Sequence, residues 1–176
     1  MVEPIRSDLR AATAVMLPAW AVRVDSAMIC LGYLPPESKG NIMPRKYLNP
    51  PGLFHHPNYT RVLTVEKPSK LIFIAGQTPA DANYQPLHPG DLGAQYLAVL
   101  AGLTLQLKAA GATWDHVVFR RMYVVGVPEF MKVLNDRSLP VPWDPNRPSP
   151  STLIGVTALS NPGFLVEVEI VAVVED

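Results

Sequence analysis

Apolar residues recur at helical spacing between Asp91 and Ala110. Leu92, Tyr96, Val99, Leu103 and Leu107 fall on one stripe, which predicts an amphipathic helix with a core-facing side. Asp91 follows Pro89-Gly90 and suits the N-cap, and Gly111 stands where a left-handed residue ends a helix. Two strand-like runs precede this helix, Arg61 to Glu66 and Lys70 to Ala75. Lys67-Pro68-Ser69 interrupts them, which predicts a hairpin. Val117 to Val125 reads as a third strand and Pro128 to Asn135 as a short helix with proline in its first turn. Thr152 to Leu159 and Phe164 to Val174 read as two closing strands. The order ββαβαββ predicts an α+β fold: a mixed sheet with two helices on one face.

The last strand says what each side of that sheet meets. Phe164, Val166, Val168, Ile170, Ala172 and Val174 share a wholly apolar face and belong under the helices. Leu165, Glu167, Glu169, Val171 and Val173 share the other. Two carboxylates among aliphatic residues fit neither open solvent nor a closed core, so this face is expected against another subunit. A half-buried carboxylate there would have a raised pKa and suit acid–base work, which makes Glu167 the candidate catalytic residue. The alternative is a salt-bridged pair with no chemistry. Arg120 and Arg121 lie on opposite faces of their strand. Arg121, beside Phe119 and Tyr123, either pairs with a glutamate or supplies positive charge to a site.

The chain has 19 prolines among 176 residues, crowded at Pro35-Pro36, Pro44 to Pro57 and Pro140 to Pro150. Each removes a backbone donor and fixes φ, so these stretches are structured loops. Trp143 and Arg147 sit in the last of them and are candidate cleft residues. In the first part of the chain, Leu9 to Met16 fits a helix turn or a strand and Ala21 to Leu34 a strand pair. A weak echo links Val22 to Pro35 with Leu63 to Pro79. Charged residues are 17% of the chain, below the usual ~25%, as expected if part of the surface is buried between copies. Lys plus Arg equals Asp plus Glu at 15 each, so neither nucleic acid nor an anionic membrane is an expected partner. Cys30 stands alone, and no disulfide framework is expected. His55 and His56 are adjacent, so in an extended segment they point apart and make no metal pair. No dinucleotide or phosphate-loop pattern occurs, and no cofactor is expected. Met1 to Arg10 carries charges and no apolar stretch, so the expected location is the cytoplasm.

Several segments, in order, resemble the YjgF/RidA (Rid) family. Phe73-Ile74-Ala75-Gly76-Gln77-Thr78-Pro79 resembles its "SGQ.P" turn. Gly90 to Gln95 and Lys108 to Ala112 resemble the ends of its first helix, and Met122-Tyr123-Val124 the strand that follows. Pro148 to Thr152 resembles its "PARS" segment, and Val166 to Ala172 its "IEIEAIA" end. Asn49 to Phe54 and Asn58-Tyr59-Thr60 resemble the segment that leads into the first strand. The resemblance covers Asn49 to Val174 and divides the chain into an extension, 1–48, and a Rid-like domain, 49–176.

The resemblance implies a chorismate-mutase-like fold and a homotrimer with an inner β-barrel. It implies a small-metabolite cleft between subunits, lined by Tyr59, Ala75, Gly76, Pro150, Ser151 and Thr152. The family's known chemistry is hydrolysis of enamines and imines. There an arginine holds the substrate carboxylate, a glutamate positions water and backbone groups hold the polar end of the substrate. The glutamate maps to Glu167 and the tyrosine to Tyr59. The serine of "SGQ" maps to Ala75, and the arginine of "PARS" maps to Pro150, which has neither charge nor donor. The expectation is therefore cofactor-free acid–base chemistry (hydrolysis, isomerisation or dehydration) on a bulky, mainly apolar metabolite, and not standard 2-imino acid deamination. The alternatives are deamination with Arg121 or Arg147 as substitute, and metabolite binding without catalysis.

Overall fold

The computed structural model describes residues 21–24, 27–30, 45–136 and 138–175. The expectation for Leu9 to Met16, and the second half of the echoed stretch, lie outside them. Two short strands, β1 (Ala21–Val24) and β2 (Ala27–Cys30), pair antiparallel, as the strand-pair reading expects. Then come β3 (Lys46–Leu48), β4 (Val62–Thr64), β5 (Lys70–Gln77), α1 (Leu92–Ala109), β6 (Val117–Val124), α2 (Val127–Asn135), β7 (Ser151–Gly155) and β8 (Val166–Val174).

The main sheet has the order β5-β8-β6-β7. Its β5–β8 and β8–β6 pairs are antiparallel and its β6–β7 pair is parallel. A parallel pair needs a crossover, and α2 with the proline-rich loop supplies it. The expected β4–β5 hairpin is not formed. β4 pairs antiparallel with β3 instead, Lys46 opposite Thr64. The physical reason lies at the break: Lys67 adopts φ 50°, and Pro68 follows it without a donor. The loop from β3 to β4 is closed by Asn49, whose Oδ1 accepts the Arg61 N–H at 3.0 Å.

Helix α1 forms where its stripe predicts. The Asp91 side chain accepts the Ala94 N–H at 2.9 Å, and Gly111 takes φ 72° beyond the C-terminus. Tyr96, Val99, Leu103 and Leu107 are buried against Ile72 and Ile74 of β5, Met122 and Val124 of β6, and Val166, Val168, Ile170 and Ala172 of β8. Phe130 of α2 meets Tyr96 edge-on at 5.1 Å. Both helices thus cover one face of the sheet. Gln95, fully buried, ties α1 to the loop before β8. Its Nε2 donates to the Gly163 carbonyl at 2.8 Å and its Oε1 accepts the Leu165 N–H at 2.9 Å. Arg45 closes the chain on itself, donating to Glu175 at 2.9 Å and to the Val173 carbonyl at 3.2 Å. No described helix is long and apolar enough to cross a membrane.

Candidate functional site

Alternation along the strands splits the polar side chains of the sheet into two groups. On the face without helices, β8 presents Glu167 and Glu169, and β6 presents Arg121 and Tyr123 in register with them. Thr152 of β7 stands beside Arg121. Leu71 and Phe73 of β5 complete this face, 54% and 75% exposed, which leaves an uncovered apolar stretch beside the polar group within one chain. Arg121 forms an ion pair with Glu169. Its pKa is raised, first by hydrogen bonding to Tyr123 and then by the Glu169 charge.

Glu167 has no such partner; among the described residues its carboxylate accepts no hydrogen bond. It is half-buried, and its pKa is raised by burial first and by the nearby charge of Glu169 second. Gly76 makes room for it. A Cβ at that position would lie 1.9 Å from Glu167 Oε1, so the carboxylate rests on the bare backbone of β5. Ala75 and Gly76 are exposed beside it.

On the helix side of the same sheet lies a cavity of about 430 Å³ between α2, the proline-rich loop, β6 and β7, with residues 56–59 at its mouth. Tyr59, Trp143 and Ser151 line it. Tyr59 is stacked on His56 at 4.7 Å. Arg120, absent from the expected site residues, also lines it. Only 4% exposed, Arg120 lies under the Trp143 ring at 4.1 Å and donates to the Asn58 carbonyl at 3.2 Å. The clue in the sequence is a charge sharing its strand face with Met122 and Val124, both core residues.

The predicted residues therefore gather in two places. Ala75, Gly76, Arg121, Thr152 and Glu167 share the open face; Tyr59, Trp143 and Ser151 lie behind the sheet. Within one chain the sheet stands between Trp143 and Glu167. Arg147 is exposed and paired with Asp144 at 3.1 Å. Pro150 contributes a carbonyl, which accepts the Arg120 backbone N–H at 3.0 Å. Among the described residues no group of three or more His, Cys, Asp or Glu is placed to hold a metal ion.

The family profile described as Endoribonuclease L-PSP matches residues 55–174. The chain belongs to the YjgF/RidA (Rid) family. A Rid-family protein of Yersinia pestis, YyfB, described as of unknown function, is 30% identical. It aligns over 74% of this chain and 98% of its own, with a TM-score of 0.66. RidA from an Antarctic Psychrobacter is 22% identical over 66% of this chain and 88% of its own, with a TM-score of 0.50. Yeast Mmf1 is 16% identical over 69% and 90%, with a TM-score of 0.51. The last two likenesses speak for the fold alone. Among curated protein sequences none matches. The Rid match begins at His55 and ends at Val174, so it includes β4 through β8 and both helices.

Proposed function

We propose that this Rid-family chain is a homotrimer whose open sheet faces enclose an inner barrel. In this reading small-molecule clefts between subunits carry cofactor-free acid–base chemistry on a metabolite, with Glu167 as the proton-transferring group. The observation that carries the reading is Glu167 itself: half-buried, without a hydrogen-bond partner among the described residues, and seated over Gly76. A carboxyl shifted upward by burial holds a proton closer to neutral pH than an ordinary glutamate, so it can both accept and return one. Tyr123 and Thr152 on the same face supply hydroxyls for a bound substrate, and Arg121 supplies charge where Glu169 does not neutralise it. The exposed Leu71 and Phe73 support subunit contact on this face.

The reaction is hydrolysis, isomerisation or dehydration of a metabolite of specialised metabolism, and not deamination of ordinary 2-imino acids. Pro150 stands at the position of the "PARS" arginine and Ala75 at that of the "SGQ" serine. Loss of a buried arginine–carboxylate pair costs about 2–5 kcal/mol, or roughly 30- to several-thousand-fold in rate. The balance of 15 basic and 15 acidic residues favours a small molecule over RNA as substrate.

The test generates 2-iminobutanoate and 2-aminoacrylate in situ and follows ammonia release. The reading expects turnover at least ~30-fold below that of an arginine-bearing Rid protein run beside it. Equal turnover would overturn it and direct attention to Arg121 and Arg147 as substitutes. For any compound found to be turned over, Glu167→Gln should lower kcat by ~100-fold or more. An unchanged kcat would reduce Glu167 to a structural residue.

A further inference from the structure

The cavity behind the sheet holds a buried cation, Arg120, with no buried counter-charge among the described residues. Among the described residues Arg120 Nε has no hydrogen-bond partner, and the guanidinium's one acceptor is the Asn58 carbonyl. The one carboxylate on the cavity lining, Asp136, is exposed and turned to Ser138, whose hydroxyl it accepts at 2.6 Å. An ionised group taken out of water is retained where something of opposite charge or strong acceptor character meets it.

We propose that this cavity is a second ligand site, separate from the Glu167 face, which takes a monocarboxylate on an apolar, ring-sized body with Arg120 as its counter-ion. Three features narrow the ligand to that class. Among the described residues Arg120 is the only lysine or arginine on the lining, which matches a single negative charge better than a phosphate dianion. The Arg120 guanidinium carbon lies over the Trp143 ring, 4.1 Å from its centroid, a cation–π contact that holds the cation in place and leaves its Nε–H for an added acceptor. Tyr96 and Ser151 also line the cavity, and burial keeps the Tyr96 phenol protonated. The remaining walls are mainly apolar, among them Met122, Met131, Leu134, Leu139 and Leu153. A volume of about 430 Å³ lies within the ~300–1,000 Å³ usual for small-molecule sites.

The test titrates the full chain by calorimetry with benzoate, 3-phenylpropionate and octanoate, each against its own amide. The parent protein is expected to bind at least one acid about tenfold or more tightly than the matching amide. Arg120→Met should remove that preference. Leu153→Trp, which fills the cavity and keeps the charge, should remove binding of acid and amide alike. Glu167→Gln should leave the preference intact, because Glu167 lies across the sheet. Equal binding of acid and amide to the parent overturns the proposal, and so does millimolar acid that fails to bind. A preference that survives in a folded Arg120→Met protein, or that disappears in Glu167→Gln, does the same. The comparison of acid with amide in the parent decides the matter even if Arg120→Met does not fold.

Discussion

Gly76 and Glu167 form a pair whose two halves act on different properties. The atoms a Cβ at Gly76 would strike are the far end of the Glu167 side chain, which can swing away. Gly76→Ala is therefore expected to change stability by less than about 1 kcal/mol in urea unfolding, while it displaces the carboxylate. A larger loss would mean that the carboxylate is pinned. Glu167 also sets a pH dependence. Its folded pKa lies above the unfolded value, so its contribution to stability is present below the ordinary glutamate range and is lost as pH rises through the folded pKa. Glu167→Gln should accordingly be more stable than the parent at neutral pH, with the difference vanishing in acid. Urea titrations at two pH values check this, and a difference that grows in acid would contradict it. Glu167 was legible in the sequence, because strand alternation alone sets its carboxylate among aliphatic neighbours on one face, where burial raises its pKa. The cavity was not. Trp143 and Tyr59 become its lining only when a loop and a lead-in segment far apart in sequence meet behind β6.

At the scale of elements, local signals located the helices and pairing was harder to read. Asp91, the apolar stripe and Gly111 bound α1 almost to the residue, because caps and periodicity act within a few positions. The pairing of β4 with β3 is accompanied by the Asn49–Arg61 bond across their loop, a contact that no short window of sequence contains. The β6–β7 parallel pair is of the same kind. Gln95 shows how one side chain joins distant elements: it satisfies a carbonyl and an amide in the loop before β8 from the middle of the core. Gln95→Leu would leave both backbone groups unpaired. The expected cost is about 2–4 kcal/mol, with faster hydrogen exchange at the Leu165 amide. Unchanged protection there would show that water replaces the side chain.

For the whole molecule, the decisive feature is a sheet with helices on one side only. The uncovered side carries Leu71 and Phe73 beside an ion pair and a half-buried carboxylate, a mixture suited to contact between copies. Phe73→Glu places a charge in the middle of that apolar area and should shift the assembly toward monomer while the fold persists, as circular dichroism would show. The proposed Glu167 cleft requires such an assembly, whereas the lining of the Arg120 cavity comes from one chain. The mass of the parent protein by light scattering at micromolar concentration therefore decides whether the open faces meet. The proposed trimer has three times the 19.3 kDa of the chain; a particle of 19.3 kDa would leave those faces uncovered and rule out a cleft between subunits.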